Sequence, residues 1–363
     1  MLPYRLMATE ALIMTGSGMP VVEPEWMDLV VRHFINPALG EQVAAGPLTT
    51  PEQFWPFSGR DDETIDTSIE RGVTILLAAL ESGRDSNTDL VVFGYSQSAV
   101  ICSIVMQSLA EAQATGEPVG SVSFVLIGNP TRPNGGLTAR FPGLYLADLD
   151  WTFAGPMQTD AAYPTADIAR QYDPMSDFPL YPQNVLADLN ALMGLTVHDY
   201  SLVTLDPDDP RYDPNTVVEH NAATNTTYYL IPTEELPILA PLRAMGIAPR
   251  LVDVTEPVLR VLIETGYDRT IPSGEPTAAR LYEDGDIDTE KLKQDLAAAV
   301  EVGIETLKSP ASPGSARTAS RAGTGSHRPA RHGSAPSARN TGTVSKSRPA
   351  ARSTHRAHSA RTM

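Results

Sequence analysis

Short apolar runs alternate with stretches of helical period along this chain. Residues 89–93 (DLVVF) form a continuous apolar run behind a polar turn, the pattern of a parallel strand buried on both faces. Upstream, residues 65–80 place Ile65, Ile69, Val73, Leu76 and Leu80 at helical spacing; downstream, residues 99–109 do the same with Val100, Ile101, Ile104, Val105 and Leu109. Residues 122–127 predict the next strand, ended by Gly128-Asn129-Pro130. Further strands are expected at 11–15 and 168–172, and a helix over 185–193 that Gly194 stops. Strands alternating with helices in this way predict an α/β fold with a mostly parallel central sheet flanked by helices.

Charge divides the chain into two parts. From Lys308 to the end there are 11 basic and no acidic residues, whereas residues 1–307 carry 16 basic against 44 acidic side chains. The 308–363 stretch is built from Ser, Ala, Arg, Pro, Gly and Thr, cannot offset its ordering entropy by burial, and is expected to be a disordered basic tail. Its charge suits weak contact with an anionic surface or nucleic acid, or a solvated extension with no specific partner. No run approaches the ~18 apolar residues of a spanning helix. The first ten residues lack a secretory-leader pattern, so the expectation is a protein that stays inside, leaves by another route, or starts further upstream. The lone cysteine, Cys102, excludes a disulfide scaffold and a cysteine-built zinc site.

One motif carries chemistry. Gly94-Tyr95-Ser96-Gln97-Ser98 falls between the predicted strand and the helix that follows it. A turn this tight pushes the central serine hydroxyl out at the carboxyl end of the sheet, against the amino terminus of a helix that favours developing negative charge. This is the nucleophile elbow of the α/β-hydrolases, with Ser98 in the place of a glycine. A nucleophilic serine needs a base and an orienting acid, in the chain order Ser, Asp, His for this fold. Of the histidines outside the tail only His198 and His220 follow Ser96, and His198, just past the predicted helix, is preferred. His33 comes before the serine, in the wrong order. For the acid, Asp173 lies nearer the strand end than the alternative, Asp177. Oxyanion donors are assigned to the Gln97 amide and to Ser17, in the Thr15-Gly16-Ser17-Gly18 turn after the first strand.

At these residues the sequence resembles the mycobacterial PE-PPE domain, a cutinase-like serine α/β-hydrolase family. The matching segments include IMTGSGMP (13–20), GYSQSA (94–99), GNPTRPNGG (128–136), the 171–200 stretch from QYDP to HDY, TYYLIPTEELPILAPLR (227–243) and PVLRVLIETGYDR (257–269). The similarity runs in order over residues 10–307, giving a hydrolase domain over 1–307 and the tail beyond it. The resemblance implies a Ser-Asp-His triad at Ser96, Asp173 and His198, with Ser17 near the oxyanion, and needs no cofactor. It further implies a cell-envelope or secreted location, although the family's amino-terminal PE or PPE module has no counterpart here.

The functional expectation is a serine esterase that cleaves carboxylic esters of short to medium acyl chains, with a lipid or acyl ester as its partner. The alternatives are a transacylase moving acyl groups between envelope glycolipids such as acyl-trehaloses, and a non-catalytic lipid-binding module. The stretch 227–243 is equally suited to walling the acyl pocket, to forming a lid, or to core packing. Asp284, Asp286 and Asp288 read as a helix start rather than a calcium loop, and Asp206, Asp208, Asp209 and Asp213 as a solvated loop. Cys102 reads as buried and inert.

Overall fold

In the computed structural model the described residues are 10–308, apart from 87 and 158–162. Seven strands form the main sheet: β1 (Glu10–Ile13), β2 (Ala44–Pro47), β3 (Leu90–Tyr95), β4 (Val122–Ile127), β7 (Thr165–Arg170), β8 (Val217–Asn221) and β9 (Thr226–Ile231). Between β4 and β7 a small antiparallel hairpin stands apart, made by β5 (Tyr145–Leu146) and β6 (Trp151–Thr152). The sheet order is β2-β1-β3-β4-β7-β9-β8, parallel throughout except for the antiparallel β8–β9 pair at one edge. This is the α/β architecture expected from the alternation of strands and helices.

Period-two alternation sorts the side chains onto two cores. On one face Ala11, Ile13, Val91, Phe93, Val125, Ile127 and Ile168 pack against α1 (Pro24–Val30), a π-helical turn (Val31–Ile35) and α2 (Asn36–Leu39), through Val30, Phe34, Ile35 and Leu39. On the other, Leu90, Val92, Phe124 and Leu126 pack against α3 (Ile65–Asp85) and α4 (Gln97–Ala114), through Ile69, Leu76, Ile101 and Val105. Each such fully buried side chain stabilises by ~1.5–3 kcal/mol, which is why the central strands are apolar on both faces.

The remaining helices are α5 (Leu137–Arg140), α6 (Val185–Val197), α7 (Ala240–Ala244), α8 (Pro249–Glu264) and α9 (Thr289–Lys308). A third cluster joins α6 and α8 through Tyr172, Ala187, Leu236, Leu239, Val252 and Ile263. This places much of the 227–243 stretch in the core. Its first part is strand β9, Leu236 and Leu239 are core, and none of its residues lines the cavity that holds Ser96.

Several boundaries differ from the sequence reading, β1 among them, which ends at Ile13. The strand expected over 168–172 is β7 and ends at Arg170; Tyr172 is held with φ 66°, outside strand geometry. The helix expected to stop at Gly194 runs on to Val197. Gly194 is a packing glycine, because a Cβ there would lie 2.6 Å from the Tyr172 carbonyl oxygen and 2.9 Å from His198 Cδ2. The strand expected over 11–15 is β1, and the basic tail lies outside the described residues beyond Lys308. Among the described residues no helix is long and apolar enough to cross a membrane.

The chain passes from β1 outward to β2, then crosses to β3 on the other side of β1. Open α/β sheets bind ligands outside the carboxyl ends of strands at such a reversal. Residues just past β1 and β3 are Ser17 and Ser96.

Candidate active site

Ser96 is the single residue between β3 and α4, with φ 54° and ψ −109°. A non-glycine residue held there stores on the order of 1–3 kcal/mol. Neighbouring hydrogen bonds hold it: its N–H donates to the Ile127 carbonyl at 3.0 Å, and its own carbonyl accepts from Ala99 N at 3.1 Å. Gly94 lets strand and helix close up, since a Cβ there would meet Cys102 Sγ at 2.9 Å and Ala99 Cα at 3.0 Å. Ser98, standing where a glycine was expected, uses its hydroxyl: it accepts from Tyr95 N at 2.8 Å and donates to Tyr95 O at 3.1 Å. That residue is part of the elbow's bracing, more than a small side chain.

Gln97 opens α4, so its N–H has no partner within the helix. Its buried side chain, which sequence reasoning overlooked, ties the region together. Gln97 Oε1 accepts from Ser17 Oγ at 2.6 Å, and Gln97 Nε2 donates to Ser68 Oγ on α3 at 2.7 Å. Ser68 Oγ also accepts from Gln53 N at 2.9 Å. Ser17 is thus held beside the elbow by a relay reaching α3.

Asp173 follows β7 and is buried. One carboxylate oxygen accepts from Met175 N at 2.9 Å; the other accepts from Tyr200 Oη at 2.6 Å and Ser176 Oγ at 2.8 Å. Burial and the Asp173 charge hold the Tyr200 phenol well above its ordinary pKa, so it remains a donor. Asp177 is placed otherwise. It accepts from Tyr172 N at 2.8 Å and pairs with both terminal nitrogens of Arg269, at 2.6 and 3.1 Å. Asp173 lines the cavity above Ser96, whereas Asp177 lines a separate polar pocket with Arg132, Arg140 and Arg269.

His198 caps the carboxyl end of α6, its N–H donating to Gly194 O at 2.9 Å. Both ring nitrogens are buried and neither meets a hydrogen-bond partner in good geometry. Burial first, and then the Arg170 guanidinium, lower its pKa; the Asp173 carboxylate pulls the other way. The imidazole is therefore neutral at neutral pH. The other two histidines among the described residues lie elsewhere: His220 Nδ1 is 3.0 Å from Thr227 Oγ1 on the edge strands, and His33, within the π-helical turn, has Nδ1 3.4 Å from Arg211.

Ser17, Ser96, Gln97, Asp173 and His198 all line one cavity of about 460 Å³. Its remaining wall is mostly apolar, with Phe54, Phe57, Ile65, Val100, Trp151 and Leu192 among its members. The loop carrying Phe54 and Phe57 and the β6 strand carrying Trp151 were missed from sequence, because neither has a periodic pattern. Tyr200 had a visible signal, a phenol two residues past the candidate base.

The other constellations have structural partners. Asp288 Oδ1 accepts from Glu290 N and Lys291 N at 3.0 and 2.9 Å, capping α9, and Asp286 pairs with Arg280 at 2.6 Å. Asp206, Asp209 and Asp213 accept backbone N–H groups two residues on. Burial pushes the Cys102 thiol far up, so it is inert. Among the described residues no group of three or more His, Cys, Asp or Glu side chains is arranged to hold a metal ion.

The GNPTRPNGG segment has a role that its letters did not show. Arg132 forms an ion pair with Asp167 inside the sheet, both fully buried, and its guanidinium lies 5.0 Å from the centre of the Tyr228 ring. Asn129 Nδ2 donates to the other Asp167 oxygen at 2.8 Å. The segment anchors the turn after β4, beside the cavity.

Comparison with known proteins matches residues 42–268 to the model of the PE-PPE domain. Esterase PE16 of Mycobacterium tuberculosis H37Rv is 42% identical over 274 residues, covering 75% of this chain and 51% of that protein. SL1278 acyltransferase Chp1 of the same organism is 31% identical over 273 residues, covering 72% and 64%. Among solved structures, a cutinase-like protein from Cryptococcus sp. aligns with 19% identity and a TM-score of 0.30, over 47% of this chain and 79% of that one. The chain spans about half the length of the first curated relatives it matches. On the family match and these relatives, the chain belongs to the PE-PPE domain family.

Proposed function

We propose that this protein is a serine esterase that cleaves carboxylic esters of short to medium acyl chains. The observation that carries this reading is the convergence of Ser96, in its strained elbow, with His198, Asp173, Ser17 and Gln97 on one apolar cavity. Neutral His198 takes the Ser96 proton as the hydroxyl oxygen attacks the ester carbonyl. The carbonyl oxygen gathers negative charge and is met by the Gln97 N–H and by the Ser17 hydroxyl, which must turn its proton from Gln97 Oε1 to the oxyanion, at the positive end of α4. Asp173 stabilises the imidazolium that forms. The tetrahedral intermediate collapses, His198 returns the proton to the leaving alcohol, and an acyl-Ser96 remains. Water, deprotonated by His198, then releases the acid. For His198 to serve in this way its ring must swing into hydrogen-bond reach of Ser96 and Asp173; catalytic hydrogen bonds commonly tighten only when substrate binds.

A second reading keeps the acyl-Ser96 but replaces water with a sugar hydroxyl. It is favoured by two relatives named as acyltransferases, SL1278 acyltransferase Chp1 and diacyltrehalose acyltransferase Chp2.

A p-nitrophenyl ester series tests both. Wild type is expected to hydrolyse short and medium chains and Ser96→Ala to lose at least about 10³-fold, with unchanged circular dichroism. Full activity in Ser96→Ala would end the serine mechanism. Adding trehalose separates the two readings: acylated sugar at the expense of free acid supports transfer, and free acid alone supports hydrolysis.

A further inference from the structure

Helix α6 is inside out for a surface helix. Its small side chains, Ala187, Asn190, Ala191 and Gly194, face the protein and are buried. Leu186 packs against the third cluster, but four of the helix's large apolar residues face away: Val185, Leu189, Leu192 and Leu195 are 61%, 49%, 49% and 60% exposed. Spacings of four, three and three residues gather these four into one stripe along the helix. Packing alone would place leucines inward and polar residues outward, so this arrangement points to something that covers the stripe.

Two observations say what covers it. The first is continuity: Leu192 and Leu195 belong to the stripe and also line the Ser96 cavity, as does Phe57, which is 72% exposed. The apolar surface thus leads into the cavity. The second is charge. No Lys or Arg occurs between Arg170 and Arg211, so the helix itself carries no cation for an anionic headgroup. The helix's one ionisable residue, Asp188, is half-buried, and desolvation raises its carboxyl to about 6.

We propose that the α6 stripe, together with Phe57, docks on an uncharged lipid surface, so that esters enter the Ser96 cavity from an aggregated phase. The proposal rests on the ester-cleaving reading for what enters the cavity, but docking itself does not require the chemistry.

The test uses the full chain carrying Ser96→Ala, floated with phosphatidylcholine vesicles and with emulsified triacylglycerol droplets. Flotation is expected, and adding Leu189→Glu or Val185→Glu should lower the lipid-bound fraction about tenfold at unchanged melting temperature. In the otherwise wild-type chain, the same two substitutions should slow hydrolysis of an emulsified ester about tenfold and leave that of dissolved p-nitrophenyl acetate unchanged. Neither residue lines the cavity. Binding that ignores both substitutions would overturn the proposal. So would binding confined to phosphatidylserine vesicles, or a dimer that Leu189→Glu splits while lipid binding is absent. If the Ser96→Ala chain floats but wild type cleaves no ester in either phase, docking stands and the esterase reading fails.

Discussion

Asp173 and Asp177 sit four residues apart in one loop, both buried, in surroundings of opposite kind. Asp173 is held by two hydroxyls and a backbone amide, all neutral donors. Asp177 is held by a guanidinium, that of Arg269, which also pairs with Glu264. Neutral donors orient a carboxylate without cancelling its charge, so the field of Asp173 remains available to a neighbouring imidazole. A cation in contact consumes that charge locally and turns the carboxylate into a strut. The loop therefore supplies one carboxylate suited to stabilising a charge that appears only during a reaction, and one suited to holding α8 and the chain after it in place.

The largest expected effect separates these two directly. Asp173→Asn should lower kcat/KM on p-nitrophenyl butyrate by about 10⁴-fold, by analogy with loss of the orienting carboxylate in serine triads. Melting temperature should fall only modestly, because an amide oxygen still accepts from Tyr200 and Ser176 and only the bond from Met175 N is lost. Asp177→Asn should leave kcat/KM of the folded protein within a fewfold of wild type. The reverse pattern, with Asp177→Asn inactive and Asp173→Asn active, would break the comparison and move the acid role to Asp177.

Much of this was legible in the sequence. The strands 90–95 and 122–127 are continuous apolar runs because both faces are covered, and the elbow between Phe93 and Ala99 is marked by small residues in a fixed pattern. Chain order and nearness to a strand end point to Ser96, His198 and Asp173 as candidates, and the structure brings all three to one cavity. What was hidden depends on contacts distant in sequence. The Ser17–Gln97–Ser68 relay spans 80 and 29 residues, and Arg269 reaches Asp177 across 92. Gly194 misled for a physical reason: glycine next to a helix end signals a stop, but the same residue inside a helix permits close packing, and only Tyr172 and His198 show which applies.

Glu52 sharpens the comparison as another buried carboxyl, with no cation and only one neutral donor beside it. It accepts from Thr50 Oγ1 at 2.6 Å, while its other oxygen is buried and unpartnered. Burial raises its pKa from 4.5 to about 8, against the weaker lowering by Thr50. A folded-state pKa above the unfolded one means that the folded protein binds the extra proton. Stability is then fully present below pH 4.5 and is lost as pH rises toward 8. Glu52→Gln should remove this dependence and stabilise by about 3 kcal/mol at pH 7, with the gain vanishing near pH 4.5. Melting curves of both proteins between pH 4.5 and 8.5 check it; parallel curves would mean that Glu52 is ionised and paired. Asp177→Asn is expected to be smaller, a loss of about 2 kcal/mol. Arg269 is partly exposed and keeps Glu264, so a loss below about 0.5 kcal/mol by urea titration would show that this ion pair is no strut.

The smallest effect tests whether neutral donors do for Asp173 what is argued above. Tyr200→Phe removes one phenolic donor and keeps the ring packed against Phe34 and Tyr95. Losing a hydrogen bond to a charged acceptor should lower kcat/KM about tenfold. The pH profile carries the sharper information. In the proposed mechanism His198 must be neutral to take the Ser96 proton, and its pKa is lowered by burial and by Arg170, so the acid limb of wild-type kcat/KM should lie below the ordinary value of about 6.5. With the phenol gone, the Asp173 charge is less shared and favours the imidazolium more. The acid limb should then move to higher pH in Tyr200→Phe. A tenfold loss with an unmoved limb would mean that Tyr200 only positions the carboxylate. A limb moved upward would mean that the hydroxyls also set how strongly Asp173 pulls on His198.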